Sequence, residues 1–162
     1  MNKLMQEIKQ CMAGLAETKK GEVTARFLFP AEFIGFQGHF PGKPVLPGVC
    51  NIQAVIVMLK EWEKRDIRLK EVVSAKFLSP VSHGEELVFN YRKQTESNNE
   101  ALVKASVISK DKKVAELQLM VSFEGEEMRW QQIKSWGKTT AKNLKIKSEE
   151  DIERIRENYL ND

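Results

Sequence analysis

The sequence predicts an α+β domain in which an antiparallel sheet curves around one long central helix. Two patterns predict this class. Residues 48–64 are helix-like and apolar on nearly all sides through Met58, and a helix without a polar face is buried on most sides. The second half of the chain alternates apolar and polar residues with a period of two, as half-buried strands do. An antiparallel sheet of such strands has one apolar face, which the long helix would cover.

The first half of the chain contains two further elements and a loop. Apolar residues at spacings of three and four predict an amphipathic helix over residues 2–16. Residues 23–29 are strand-like, and Pro30 ends this strand. The loop, residues 38–49, leads directly into the central helix.

The second half contains four consecutive predicted strands, joined by short turn sequences at residues 82–84, 97–99 and 110–112. Each strand has one apolar face that would point toward the helix. In chain order these faces are Val73, Ala75 and Phe77; Leu87, Phe89 and Tyr91; Val103, Ala105 and Val107; and Leu117, Leu119, Val121 and Phe123.

The chain has two regions of different character. We expect the folded domain to occupy residues 1–125 and a tail to occupy residues 126–162. Residues 129–147 carry six basic residues and no acid. A capping box begins at Ser148, with apolar residues at helical spacing behind it, and this pattern predicts one short helix in the tail.

Composition excludes several classes of function. The net charge of +3 is small and its basic residues are scattered among acids, so we expect no nucleic-acid partner. No apolar stretch is long enough to cross a bilayer, and the amino terminus has no signal-peptide pattern, which favours a reducing cytoplasm. Cys11 and Cys50 have no metal-binding or redox spacing, so we expect no metal and no cofactor.

The loop at residues 38–49 is the strongest indication of a functional site. It contains His39 together with three prolines and three glycines, and then opens into the apolar helix. Proline fixes the backbone and glycine permits angles that other residues avoid, so this composition predicts a shaped, rigid loop. A histidine held in such a loop favours an active-site wall over the alternative, a structural histidine in a tight turn.

Residues 38–49 closely resemble the signature of the hotdog-fold β-hydroxyacyl-(acyl carrier protein) dehydratases. Residues 76–81, followed by Gly84 and Glu85, are similar to that family's strand and turn after the central helix. The resemblance covers about residues 20–125 of the chain. It implies a hotdog fold, acyl thioester substrates carried by acyl carrier protein, and a dimer. In that dimer the histidine and an acid come from different subunits at a shared tunnel.

The resemblance also implies roles for particular residues. His39 takes the position of the catalytic base, and the backbone N–H groups of Gly48 and Val49 take the position that binds the thioester carbonyl. Phe36 and Phe40 are the corresponding candidates for contact with the substrate. These types suit the reaction, because an imidazole with an ordinary pKa of about 6.5 can remove an α-proton at neutral pH. A helix N-terminus likewise offers unpaired N–H groups to a developing enolate oxygen.

Gln53 is where this chain departs from the family, which has an aspartate or glutamate at that position. A carboxylic acid can protonate the departing hydroxyl, whereas an amide can only donate a hydrogen bond or orient water. Three interpretations stay open: a slow dehydratase, a non-catalytic hotdog subunit that binds acyl chains or completes a heterodimer with a partner that supplies the acid, and a thioesterase in which Gln53 positions a water. The dimer is accordingly expected to be either a homodimer or a heterodimer with another hotdog subunit. Gln53 is also consistent with a purely structural amide.

Overall fold

The computed structural model describes residues 2–37 and 44–124. The elements in this part of the chain are α1 (Lys3–Gln10), β1 (Met12–Lys19), β2 (Glu22–Leu28), α2 (Gly48–Glu63), β3 (Asp66–Phe77), β4 (Glu86–Ser97), β5 (Glu100–Ser109) and β6 (Lys112–Glu124). A short 3₁₀ turn at Ile34–Phe36 lies between β2 and α2. The predicted boundary at residue 125, the tail and its short helix lie outside the described residues and stay predictions.

The strands form one six-stranded antiparallel sheet in the order β1-β2-β4-β5-β6-β3. The inward faces predicted for β4, β5 and β6 are buried, and they share one hydrophobic core with α2. The sequence pattern of alternating residues is therefore confirmed for these three strands. The α+β class with a central helix is also confirmed.

Helix α2 is buried along most of its length, as its apolar composition predicts. The residues from Ala54 to Leu59 are each at most 4% exposed. The helix ends at Glu63 and is capped by Lys64, whose backbone has the left-handed conformation (φ 56°) and whose N–H donates to the Lys60 carbonyl. A left-handed residue with a side chain is strained at such a position, where glycine is usual.

Replacing Lys64 with glycine is expected to raise the free energy of unfolding by about 1 kcal/mol, because glycine adopts this conformation without strain. Chemical denaturation of the variant measures the change. Lys64→Ala is the matched control, since it removes the same charge but keeps the strained Cβ. Equal stability of the two variants would show that the charge, and not the backbone, determines the effect.

The predicted helix over residues 2–16 is too long. The helix ends at Gln10, and residues Met12–Lys19 form β1, which pairs with β2. Met12 and Leu15, which extended the helical pattern, are partly buried against the core from the strand instead. A short isolated helix is only marginally stable in water, so pairing with an adjacent strand prevails over the spacing.

The predicted arrangement of four consecutive strands is wrong for β3. This strand begins at Asp66, several residues before the predicted one, and pairs with β6 at the sheet edge. Val73 and Phe77, predicted to be inward, are 46% and 49% exposed. The pairing of β3 with β6 is irregular between Leu69 and Glu71 and again between Val72 and Ser74. Such irregularities change which face a side chain occupies, and residue spacing does not reveal them.

The two hairpin turns are confirmed. Asn98 and Asn99 join β4 to β5, and Lys110 and Asp111 join β5 to β6; all four have positive φ. Two-residue turns of this kind match the twist of antiparallel strands. The third predicted turn is also present, at residues 83–84, where Gly84 has φ 77°, but it lies in the connection from the edge strand β3 to β4 and does not form a hairpin.

Candidate active site

A pocket of about 420 Å³ opens at the amino-terminal end of α2. Three parts of the chain enclose it: the segment entering α2 with the first turn of that helix, the end of β3 with the residues after it, and the start of β6. Its lining is mainly apolar and consists of Val45, Leu46, Pro47, Gly48, Asn51, Phe77, Leu78, Ser79, Pro80, Val81, Val114 and Ala115.

Backbone hydrogen bonds join these parts. The Leu46 N–H donates to the Val81 carbonyl over 2.8 Å, so the segment before the helix is tied to the segment after β3. The Leu78 N–H donates to the Val114 carbonyl, also over 2.8 Å, which ties the end of β3 to β6. Because backbone atoms make these bonds, side-chain variation around the pocket would leave its frame intact.

Gly48, at the start of α2, lines this pocket, whereas Val49 is 53% exposed and does not line it. The N-cap residue is Pro47, which has no side chain able to cap the helix. Among the described residues, no hydrogen-bond acceptor is found for the N–H of Gly48 or of Val49. Unpaired amides and the helix dipole together favour negative charge at this end of a helix. The arrangement can therefore stabilise a carbonyl oxygen that gains charge.

Gly48 also lets an aromatic ring approach the start of the helix closely. A Cβ built at this position would lie 2.5 Å from Cζ of Phe77, closer than real Cβ contacts occur. The aromatic ring of β3 therefore packs directly on the glycine. Glycine is required at residue 48 by this close approach and not by an unusual backbone angle.

Asn51 is the one buried polar side chain among the described residues that line the pocket. It is 4% exposed, and its Oδ1 has no hydrogen-bond partner. Most buried polar atoms in proteins are paired, so an unpaired one calls for a physical explanation. Asn51 is not among the candidate residues predicted from the sequence, although a polar residue within an otherwise apolar helix was a signal that could have indicated it.

Gln53 is half-buried and does not line this pocket. Gln53 and Asn51 are two residues apart on a helix with 3.6 residues per turn. Their side chains therefore project from the helix in nearly opposite directions. One copy of the chain therefore does not bring Gln53 together with the Gly48 amides. A site that uses both requires a second copy or another subunit.

Phe36 lies in an aromatic cluster away from the pocket. Its ring contacts Phe33 with centroids 5.7 Å apart and His83 with centroids 6.2 Å apart, both edge to face. His83 is exposed, as its predicted place in a surface turn requires. The role of Phe36 in contacting substrate stays a prediction. His39 and Phe40 lie outside the described residues, and their roles also stay predictions.

Cys50 follows the Gly48 and Val49 amides directly but is not placed to act as a nucleophile. It is buried, and burial raises the pKa of its thiol to about 11. At neutral pH the thiol is therefore almost entirely protonated, whereas the thiolate is the reactive form.

Iodoacetamide at about pH 8 is expected to leave Cys50 unmodified in the native protein and to alkylate it rapidly in urea. Burial and the Glu7 charge also raise the pKa of the Cys11 thiol, but Cys11 is only partly buried and is expected to react first. Peptide mass spectrometry distinguishes the two sites. Fast alkylation of Cys50 in the native protein would show that its thiol is reactive and would favour a mechanism that uses this thiol.

A larger depression, of about 540 Å³, lies on the polar outer face of the sheet. Four of the charged side chains in it form two pairs: Arg92 Nη2 lies 2.9 Å from Glu22 Oε2, and Lys113 Nζ lies 2.7 Å from Glu116 Oε1. Paired exposed charges of this kind are typical of a solvated surface. The pocket at α2 is the stronger candidate.

A model of ApeI-like dehydratases, described as ApeI dehydratase, matches residues 15–124. The matched region includes the whole pocket and all of α2. The chain belongs to the ApeI-like dehydratase family. This membership confirms the resemblance found in residues 38–49 and extends it toward the amino terminus.

Relatives of this ApeI-like chain include two named 3-hydroxyacyl-[acyl-carrier-protein] dehydratase FabZ. The protein from Pediococcus pentosaceus is 34% identical over 91 residues, which cover 52% of this chain and 61% of the relative. The protein from Ligilactobacillus salivarius is 34% identical over 95 residues, which cover 53% of this chain and 68% of the relative. The chain thus spans less than two thirds of the first of these proteins.

Solved structures support the hotdog fold of the ApeI-like chain. The dehydratase heterocomplex ApeI:P from Xenorhabdus doucetiae superimposes with a TM-score of 0.60 and 19% identity, covering 68% of this chain and 96% of that one. A hypothetical thioesterase with coenzyme A from Streptococcus pneumoniae gives 0.54 with 8% identity, covering 69% and 85%. At these identities the likeness shows the fold and leaves the reaction open.

Proposed function

We propose that this chain acts as a dehydratase on 3-hydroxyacyl thioesters carried by acyl carrier protein in the biosynthesis of fatty acids or related acyl chains. The observation that supports this most is the start of α2 at Gly48, which lines an apolar pocket and whose N–H has no acceptor among the described residues, in a member of a dehydratase family. An acyl thioester fits such a site, since it combines an apolar chain with one polarisable carbonyl. A reducing cytoplasm is the proposed compartment.

The proposed reaction begins with proton removal by His39. The imidazole takes a proton from the α-carbon of the substrate, and the electron pair moves onto the thioester oxygen. That oxygen accepts hydrogen bonds from the helix amides, with Gly48 as the main donor. The electron pair then returns to form the double bond as the 3-hydroxyl departs. The hydroxyl receives a proton and leaves as water, and the product is an enoyl thioester.

Gln53 takes the place of the group that would protonate the hydroxyl. Its amide can donate a hydrogen bond to the hydroxyl oxygen but cannot transfer a proton near neutral pH. The protonated His39 would then have to return the proton itself. Loss of a general acid typically lowers a rate by on the order of 10²–10⁴, so we propose a slow enzyme.

A dimer would complete this site, and the open edge of the sheet supports one. Strand β3 lies at one edge of the sheet and β1 at the other, and no strand within the described residues pairs with the outer side of β3. Large apolar side chains are exposed on and beside it: Val49, Val72, Val73, Phe77 and Leu78. A second copy packed there would cover this surface. It would also bring another α2 near the pocket.

The partner in that dimer is either a second copy of the chain or another hotdog subunit that carries an acid. Gln53 favours the acid-bearing partner. In that case this chain is the subunit that has no activity of its own. A heterocomplex is the state described for the ApeI:P structure. In this alternative the chain supplies its own loop and helix amides, and the partner supplies the carboxylic acid.

Basic residues at the end of α2 are the candidates for docking acyl carrier protein, but three of them are paired with acids. Lys60 Nζ lies 3.5 Å from Asp66, and Arg68 Nη1 lies 3.7 Å from Glu124. Arg65 Nη2 lies 3.7 Å from Glu96, and its guanidinium stands over the Phe123 ring. These residues therefore give carrier docking little support.

Gln53→Glu is expected to raise the rate of dehydration roughly tenfold or more, because it restores a group that can transfer a proton. The measurement follows formation of the enoyl thioester from a 3-hydroxyacyl pantetheine by its ultraviolet absorbance. Gln53→Met is the matched control, since it has a similar length and cannot donate a proton.

Three outcomes would contradict the proposed function of the chain by itself. Release of free thiol without enoyl product would indicate a thioesterase. Inactivity of both the wild type and Gln53→Glu would favour the partner-subunit alternative, which activity in a mixture with an acid-bearing hotdog subunit would then support. If Gln53→Glu and Gln53→Met catalysed dehydration at the same rate, residue 53 would have no role in proton transfer even when it carries an acid.

A further inference from the structure

Asn51 is a buried amide that the proposed reaction has not used. Only 4% of the residue is exposed, and its Oδ1 has neither a protein partner nor contact with solvent. An unpaired buried carbonyl oxygen destabilises a folded protein, because it loses its hydrogen bonds to water without replacement. The surrounding residues of α2 are apolar, so an aliphatic side chain would suit this position equally well in terms of packing.

The position of Asn51 places it beside the helix amides. It follows Gly48 by three residues, and residues at this spacing lie on the same face of a helix. Side chains on a helix are also tilted toward its N-terminus. Both residues line the same pocket. The pocket is therefore lined at its helix end by Gly48 and, one turn further along, by Asn51, whose Oδ1 is an unpaired acceptor.

We propose that Oδ1 of Asn51 accepts a hydrogen bond from the 3-hydroxyl group of the bound substrate. This inference rests on the proposed function and specifies how the same site selects its ligand. A 3-hydroxyacyl thioester has a carbonyl that accepts a hydrogen bond and, two carbons away, a hydroxyl that donates one. The helix amides match the carbonyl, and Asn51 matches the hydroxyl.

Asn51 would thereby distinguish substrate from product. The enoyl thioester and a saturated acyl thioester have no hydroxyl, so either would leave Oδ1 unpaired in the closed pocket. A site with a buried polar group disfavours analogues that cannot pair with it. Gln53 from another subunit could still donate to the oxygen of the same hydroxyl, because a hydroxyl both donates and accepts.

The test compares the wild type with Asn51→Leu, which has a similar volume and no polar atom. The probes are 3-hydroxyoctanoyl, trans-2-octenoyl and octanoyl pantetheine, with binding measured by calorimetry on the His39→Ala background to prevent turnover. We expect Asn51→Leu to weaken binding of the hydroxyacyl probe about tenfold, the usual value of one hydrogen bond, and to leave the other two unchanged or tighter. In the active protein, KM should rise more than kcat falls.

A second measurement separates ligand recognition from a structural role. Asn51→Leu is expected to raise the melting temperature by about 2 °C or more, because it removes an unpaired buried group. Ile52→Leu, next to it on α2 and outside the pocket lining, is the control and should change neither property. Asn51→Gln, which keeps the carboxamide, should retain part of the preference for the hydroxyacyl probe.

The outcomes distinguish this inference from the proposed function. Equal weakening of all three probes, or a lower melting temperature in Asn51→Leu, would overturn the role of Asn51 and leave the dehydratase proposal standing. If residue 51 is unchanged and the protein still binds the hydroxyacyl probe no better than the octanoyl probe, the role of Asn51 is likewise overturned and the dehydratase proposal stands. Failure of every probe to bind the wild type would contradict both.

Discussion

His39→Ala is expected to lower kcat for dehydration by a factor on the order of 10²–10⁴, the range typical for loss of a general base. The effect should be this large because the proposed reaction uses His39 twice. It removes the α-proton and, since Gln53 cannot donate one, returns a proton to the departing hydroxyl. Stopped assays of enoyl thioester formation, run at saturating substrate, measure the loss.

His83→Ala is the matched control for this variant. His83 is exposed, its ring rests against Phe36, and it does not line the pocket. Its removal is expected to leave kcat unchanged. If His39→Ala retained more than about a tenth of the wild-type rate while folded and dimeric, His39 would not be the base.

Gly48→Ala is expected to lower kcat/KM by roughly 10²–10³, the range found when one donor to a developing oxyanion is lost. The methyl group would lie 2.5 Å from the Phe77 ring, so either the ring or the helix end must move. Movement of the helix end displaces the amide from the thioester oxygen. Steady-state kinetics with a 3-hydroxyacyl pantetheine measure the loss.

Phe77→Leu and the double variant Gly48→Ala/Phe77→Leu determine which movement matters. Phe77 is about half exposed, so Phe77→Leu alone should have a small effect on folding. Recovery of activity in the double variant would assign the loss to displacement of the helix end by the ring. Unchanged activity in Gly48→Ala alone would mean that the ring moves freely and that the glycine has no special role.

The parts of the fold that the sequence predicted are those whose burial is uniform along an element. Helix α2 is apolar on nearly all sides through Met58, and β4, β5 and β6 are buried on one side, so their patterns are unambiguous. The first helix and β3 differ because neighbours decide their structure. Met12 and Leu15 satisfy a helical spacing yet pair into a strand. The exposed apolar residues of β3 belong to an edge whose covering partner is another chain in our proposal.

The candidate site divides in the same way. Gly48 could be predicted because a short sequence motif carries it and the helix begins there. Phe77 packing on Gly48 could not, because it depends on pairing of β3 with β6 across the fold. Asn51 was visible as the first polar residue inside an apolar helix. Its burial without a partner, however, is a property of the packed pocket that a single sequence does not contain.

The most direct test of the central claim is the carbonyl stretching frequency of a bound thioester, measured by isotope-edited infrared spectroscopy with a carbon-13 label at the carbonyl. The His39→Ala variant would be used so that the substrate is not consumed. If the amides at the start of α2 polarise the thioester, the band should move to lower wavenumber on binding, and Gly48→Ala should abolish the shift. A bound thioester whose band stays at its position in water would contradict the account.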